Sequence, residues 1–322
     1  MRRALVITAA LLCGCQSDFD PATYLDSVRV IAVKAEPPEI ATGETTTLSA
    51  LSFGLKAPLE WSLCTAGPMP GSNDPVNTDC VTKDSGDIFQ PIGTGDQVAF
   101  TMPPVTSAQL GLPDSTLGVY VNIRVTARGL DPEGKDRVVR GIYRLRYHSD
   151  KDPRCKNENP RLSFVYTVPE GYSFPVHEDA GTPMGGGIGM CSGPIDGGTF
   201  TLPDAGASGS FISYGPGMPI PVGNGKTVHL AASFEVGSDE SYTLVSGDPA
   251  SPTITQRRES LTLFWYAGAG SFSLPTTGLD QPATDFTADK HVPTGGGAVD
   301  LYVVARDERG GTDFAKRTIQ IQ

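Results

Sequence analysis

The chain has 322 residues, with 25 Lys+Arg against 36 Asp+Glu, 39% hydrophobic and 19% charged residues, 38 Gly and 27 Pro. That balance excludes global disorder and fits about two turn-rich folded domains. No basic patch that would neutralise phosphates is visible, so no nucleic-acid partner is expected.

The chain begins with Arg2 and Arg3, then an apolar run from Ala4 to Cys13. About ten residues suit the core of a signal peptide and fall short of the roughly 20 that span a bilayer. Leu12-Cys13-Gly14-Cys15 resembles the lipobox of bacterial lipoproteins. The resemblance implies a signal peptide over 1–14, removed before Cys15, and a diacylglyceryl group with palmitate-type acyl chains on Cys15. It also implies a lipidated tether over 15–26 and a membrane partner reached through that lipid. Gln16, where an Asp would favour retention at the inner membrane, implies the outer membrane, facing the periplasm or the cell surface. Two or three acyl chains hold a protein firmly, whereas one does so only marginally. Loss of Arg2 and Arg3 takes the net charge to 23 − 36 = −13.

Strand patterns follow the tether. Val28 to Val33 is β-branched and ends at Pro37-Pro38, and Thr45 to Phe53 is a second run. Leu59, Trp61 and Leu63 alternate with polar residues, as do Val119, Val121, Ile123 and Val125. The period of two is that of a half-buried strand. Asp131-Pro132-Glu133-Gly134 is a turn, and Val138 to Tyr147 returns with a basic outer face. The charged stretch 149–159 is expected to be a linker. Arg161 to Val168, Lys226 to Phe234, Leu261–Leu263–Trp265, Val299 to Ala305 and Arg317 to Ile321 repeat the order. Many short strands between turn signals predict a sandwich architecture.

Gly43-Glu44-Thr45-Thr46-Thr47-Leu48-Ser49-Ala50 aligns with Gly225-Lys226-Thr227-Val228-His229-Leu230-Ala231-Ala232. A Trp follows 18 residues after Gly43 (61 − 43) and 40 after Gly225 (265 − 225). Internal similarity of this kind marks tandem units. The pattern Gly-x-Thr-x-x-Leu-x-Ala, a Trp strand, then Val-x-Leu-x-Val-x-Ala-x-Asp with a Gly turn resembles bacterial immunoglobulin-like domains of the PKD and cadherin-like kind. The resemblance implies an all-β fold of two tandem immunoglobulin-like β-sandwich domains, over 27–148 and 160–322. Trp61 and Trp265 would then be core residues. In cadherin-like relatives acidic turns bind Ca²⁺ between domains. Here Asp131, Glu133 and Asp136, and Asp307, Glu308 and Asp313, occupy equivalent turns and read as solvated charges.

Cys64, Cys80, Cys155 and Cys191 remain after Cys13 and Cys15 are assigned to the signal and the lipid. An even number in an exported chain predicts disulfides. Of three pairings, Cys64–Cys80 and Cys155–Cys191 are favoured as local to one domain each. Segment 170–225 holds 15 Gly and 7 Pro and is expected to be an excursion from domain 2.

No HExxH, GxSxG, SxxK or P-loop occurs, and Ser192 breaks a GxGxxG at Gly187. Cys155, Cys191, His148 and His177 lack the spacing of a metal clip. No catalytic residue, metal or cofactor is therefore expected, and the chain reads as non-enzymatic. The favoured function is a lipid-anchored envelope protein that binds or spaces a protein partner. The alternative is a carbohydrate-binding or adhesive module, with Tyr172, Phe174, Phe211 and Tyr214 as candidate glycan contacts.

Overall fold

Every alternating run of the first half becomes a strand of one sandwich. A computed structural model describes residues 22–69, 74–110, 113–114, 116, 118–149, 156–169, 212–214, 217–235, 237–248, 251–279 and 281–322. Domain 1 contains β1 (Arg29–Glu36), β2 (Glu39–Ile40), β3 (Thr45–Phe53), β4 (Glu60–Cys64), α1 (Thr78–Thr82), β5 (Phe89–Thr94), β6 (Gln97–Thr101), α2 (Ser107–Leu110), β7 (Val119–Leu130) and β8 (Asp136–Tyr147). One sheet runs β1-β3-β6 and the other β2-β8-β7-β4-β5. The first strand thus divides: β1 pairs antiparallel with β3, and β2 crosses to pair in parallel with the last strand, β8. Leu48, Trp61, Leu63, Phe100, Ile123, Val125 and Leu145 fill the space between the sheets.

Domain 2 repeats this plan with β9 (Leu162–Thr167), β10 (Ile212–Tyr214), β11 (Ile220–Val222), β12 (Thr227–Phe234), β13 (Ser241–Asp248), β14 (Ser251–Arg258), β15 (Thr262–Ala267), β16 (Ser271–Phe272), β17 (Thr276–Gly278), β18 (Ala283–Thr287), β19 (Gly297–Arg306) and β20 (Thr312–Ile321). Its sheets run β10-β9-β12-β18-β16 and β11-β20-β19-β15-β17, and β11 pairs in parallel with β20 as β2 does with β8. Two sheets with this strand order make each half an immunoglobulin-like sandwich. The internal repeat falls on β3 and β12. Its leading glycines, Gly43 and Gly225, take φ of 83° and 67°, a turn conformation that a side chain would strain. Trp265 is fully buried among Leu230, Phe286, Leu301 and Val303, and its indole N–H donates to Thr277 Oγ1 at 3.0 Å.

The excursion proposed over 170–225 is narrower than expected. Its described end belongs to the sandwich: β10 extends one sheet, β11 the other, and Ile220 and Val222 are core residues. The 22 extra residues before the second Trp (40 − 18) have a separate cause. They hold the hairpin β13–β14, which pairs with itself and joins neither sheet of the sandwich.

The expected linker 149–159 is not passive where it is described. Asn157 and Asn159 are buried. Asn159 donates from Nδ2 to Ala35 O at 2.6 Å, while its Oδ1 accepts from Thr312 N at 2.8 Å, so one side chain ties the two domains. The domains also share an apolar core of their own. Ile31, Ala32, Leu51 and Phe53 on the outer face of β1 and β3 pack against Phe264, Tyr266, Tyr302, Val304 and Phe314 on the outer face of β15, β19 and β20. Tyr302 and Phe53 meet edge to face at 6.4 Å, and Lys34 pairs with Asp313 at 3.1 Å on the rim. The two sandwiches are therefore packed sheet against sheet.

Candidate functional site

Three features stand apart from the two cores: the segment before β1, a buried ionic cluster at one end of domain 2, and the hairpin that the cluster carries.

Residues 22–26 fall in the expected tether, yet they are docked. Tyr24 forms a parallel bridge with Ala267, Leu25 N donates to Ala267 O at 3.0 Å, and Ala267 N donates to Thr23 O at 3.1 Å. The Tyr24 ring stacks on His291 at 4.0 Å. Leu25 is 2% exposed and completes the core between the domains. Beside it opens a cleft of about 320 Å³, lined by Ala22 and Thr23 of the leader, Arg29, Val30 and Ile31 of domain 1, and Phe264, Tyr266, Pro275 and Thr276 of domain 2.

At the other end of β15 lies the ionic cluster. Arg309, in the turn between β19 and β20, donates from Nε to Glu259 Oε1 at 2.5 Å and pairs with Glu240. Glu240 and Glu259 close the base of the hairpin, where Glu259 N donates to Glu240 O at 2.8 Å and Glu240 N to Glu259 Oε2 at 3.1 Å. Tyr242 donates to Glu308 Oε2 at 2.5 Å, and Arg258 pairs with Asp239. Glu240 also accepts from Glu158 N at 3.0 Å, and Asp307 from Asn157 Nδ2 at 3.2 Å, so the linker braces the same cluster. Burial, and then repulsion by Asp307, push the Glu259 carboxyl up to about 8 against the pull of Arg309. Burial raises Glu240 and Asp307 as well.

In the first acidic turn Glu133 and Asp136 are exposed, the solvated charges expected there, whereas the second turn is built differently. Asp307 accepts from Arg309 N and Gly311 N, and Asp313 accepts from Leu162 N and Lys34. Asp131 accepts from Lys135 N at 2.7 Å and shapes its own turn. The positive charge among Glu240, Glu259 and Asp307 is a guanidinium. Among the described residues no group of three His, Cys, Asp or Glu is arranged to hold a metal ion.

The hairpin rises from this base. Residues 253–257 of β14 are exposed on both faces, with Ile254 at 52%. The bond between residues 240 and 259 fixes the ladder's phase, because bonded and non-bonded pairs alternate along an antiparallel pair. Ile254 and Gln256 then direct their N–H and C=O groups to the open edge. Pro252 falls in the same outward set, where its missing N–H breaks no bond of the hairpin.

Of the predicted site residues, Cys64 and Cys80 form a disulfide. It pins the stretch that carries α1 over the outer face of domain 1, where Arg124 donates to Lys83 O at 2.8 Å and lies over the Phe89 ring. Tyr214 is a correction. It is 6% exposed and packs into the core of domain 2, because β10 pairs with β9 and turns that ring inward. Cys15, Cys155, Cys191, Tyr172, Phe174, Phe211 and His177 lie outside the described residues. His148 meets Glu39 at 3.1 Å, and His229 meets Asp285 at 2.5 Å. The basic face of β8 is also only partly solvated: Arg146 is 3% exposed, pairs with Glu39 and donates to Thr116. No described helix is long and apolar enough to cross a membrane.

No known protein family and no curated protein matches this chain. Among solved structures, the N-terminal Ig1–2 module of the Drosophila receptor protein tyrosine phosphatase DLAR aligns at 9% identity over 92% of this chain and 98% of that one, with a TM-score of 0.25. Murine CEACAM1b aligns at 12% identity over 92% and 100%, with a TM-score of 0.19. Extracellular cadherin domains 1–4 of Protocadherin Gamma B7 align at 10% identity over 89% and 49%, with a TM-score of 0.20. Scores of this size bear on neither partner nor activity. The immunoglobulin-like fold rests on the strand order itself.

Proposed function

We propose that this chain is a non-enzymatic envelope lipoprotein, anchored through Cys15 at the outer membrane, that presents the hairpin β13–β14 to a protein partner. The observation that carries the reading is the hairpin with its brace. Burying Arg309 among acids is costly unless it is paired and hydrogen-bonded, and here that pairing is used to hold a hairpin whose strands join neither sheet of the sandwich. An exposed strand with an open edge, β-branched at Thr253, Ile254 and Thr255, is a template for an extended segment of another chain. The carbohydrate reading loses Tyr214 to the core.

The anchor is tested directly. Cys15→Ser should abolish incorporation of labelled palmitate and release the chain from membranes. Undiminished labelling of that variant would overturn the anchored reading.

A further inference from the structure

The docked leader limits how an anchored molecule can stand. Seven Cα–Cα steps separate Cys15 from Ala22, which reach about 25 Å at full extension. The leader cannot swing from that root. Its backbone pairs with Ala267, its Tyr24 ring stacks on His291, Leu25 is enclosed between the domains, and Arg29 Nη1 donates to Ala22 O at 2.6 Å.

The hairpin lies at the opposite end. Ala267, where the leader docks, is the last residue of β15. Thr262, the first, pairs with Arg306 next to the Arg309 turn on which the hairpin stands. Strand β1 starts beside the leader at Arg29 and ends at Glu36, which Asn159 of the linker meets. Both domains therefore present one end to the leader and the other to the linker.

We propose that the leader end, centred on the cleft of Arg29, Phe264, Tyr266 and Thr276, is a phospholipid-contacting face held against the bilayer, and that the hairpin is held away from it. The occupant is the headgroup layer of the membrane that carries the lipid anchor. A half-exposed guanidinium beside aromatic rings suits that layer, where phosphates and amphipathic rings meet. The inference rests on acylation of Cys15.

The test uses the full acylated chain in vesicles of phosphatidylethanolamine and phosphatidylglycerol, with a photoreactive benzoylphenylalanine placed at Thr276 or at Ile254. Both positions are exposed, so each variant should fold. Lipid adducts are expected at least about tenfold more often at Thr276. Mass spectrometry of Cys15 separates the two ways to fail. An acylated chain with equal yields, or with more lipid on Ile254, overturns the orientation alone. A chain with no lipid on Cys15 overturns the anchored reading and the orientation together.

Discussion

Replacing Trp265 with Ala probes both the core of domain 2 and its coupling to domain 1. The side chain is fully buried and its ring centroid lies 6.3 Å from that of Phe272. Truncating a buried Trp costs about 3–5 kcal/mol through lost contacts and the cavity left behind. The Thr277 hydroxyl, which accepts the indole N–H at 3.0 Å in a buried site, adds about 1 kcal/mol when stranded. A domain's whole stability is about 5–15 kcal/mol, and for 150–250 residues each kcal/mol moves Tm by about 2–4 °C. The expected fall is then about 8–24 °C by calorimetry. Isolated domains on a loose linker would leave domain 1 unchanged. The shared core of Ile31, Leu51, Phe53, Tyr302 and Val304 predicts otherwise: domain 1 loses its packed neighbour and its own transition moves down as well. A Trp265→Ala chain that melts like the parent would refute the burial argument. A domain 1 transition unmoved to within a degree would refute the coupling.

Two further outcomes are expected. The Glu259 carboxyl is raised to about 8 in the folded state, against about 4.3 when unfolded. Its contribution is fully present below pH 4 and is lost as pH rises through 8, so Tm should fall from pH 5 to pH 8.5, and Glu259→Gln should flatten that slope; a parent Tm that rises over the range would contradict the assignment. Cys80→Ser opens a bridge between residues 16 apart in sequence and should cost about 3 kcal/mol in denaturant melts, with reductant bringing the parent to the same midpoint; equal midpoints with and without reductant would show that the bridge adds no stability.

Much of the fold was legible because strand alternation and core burial are the same fact. Trp61, Ile123, Leu230 and Trp265 lie inside as their spacing required. The junction was harder to see. Leu261 to Ala267 and Leu301 to Ala305 are nearly continuous apolar runs, the mark of strands buried on both faces, but alternation alone assigns one face to solvent. Phe264, Tyr266 and Tyr302 were the signal of a second buried layer. Tyr24 and Leu25 likewise broke the polar pattern of the tether. The hairpin left a trace as the longer spacing from Gly225 to Trp265, although its Thr-rich strands resemble any other surface strands. The ionic cluster left none, since Glu240 and Glu259 meet only when the hairpin closes and Arg309 reaches them only from the turn between β19 and β20.

The central claim, that the braced hairpin meets a protein partner, is best tested in living cells by photocrosslinking from Ile254. Val138 on β8, also exposed, serves as the control position. The account predicts one discrete protein adduct at Ile254 that is absent at Val138 and is lost when Arg309→Ala removes the brace while the disulfide-bonded domain 1 stays folded. The same ladder of abundant envelope proteins at both positions would contradict it.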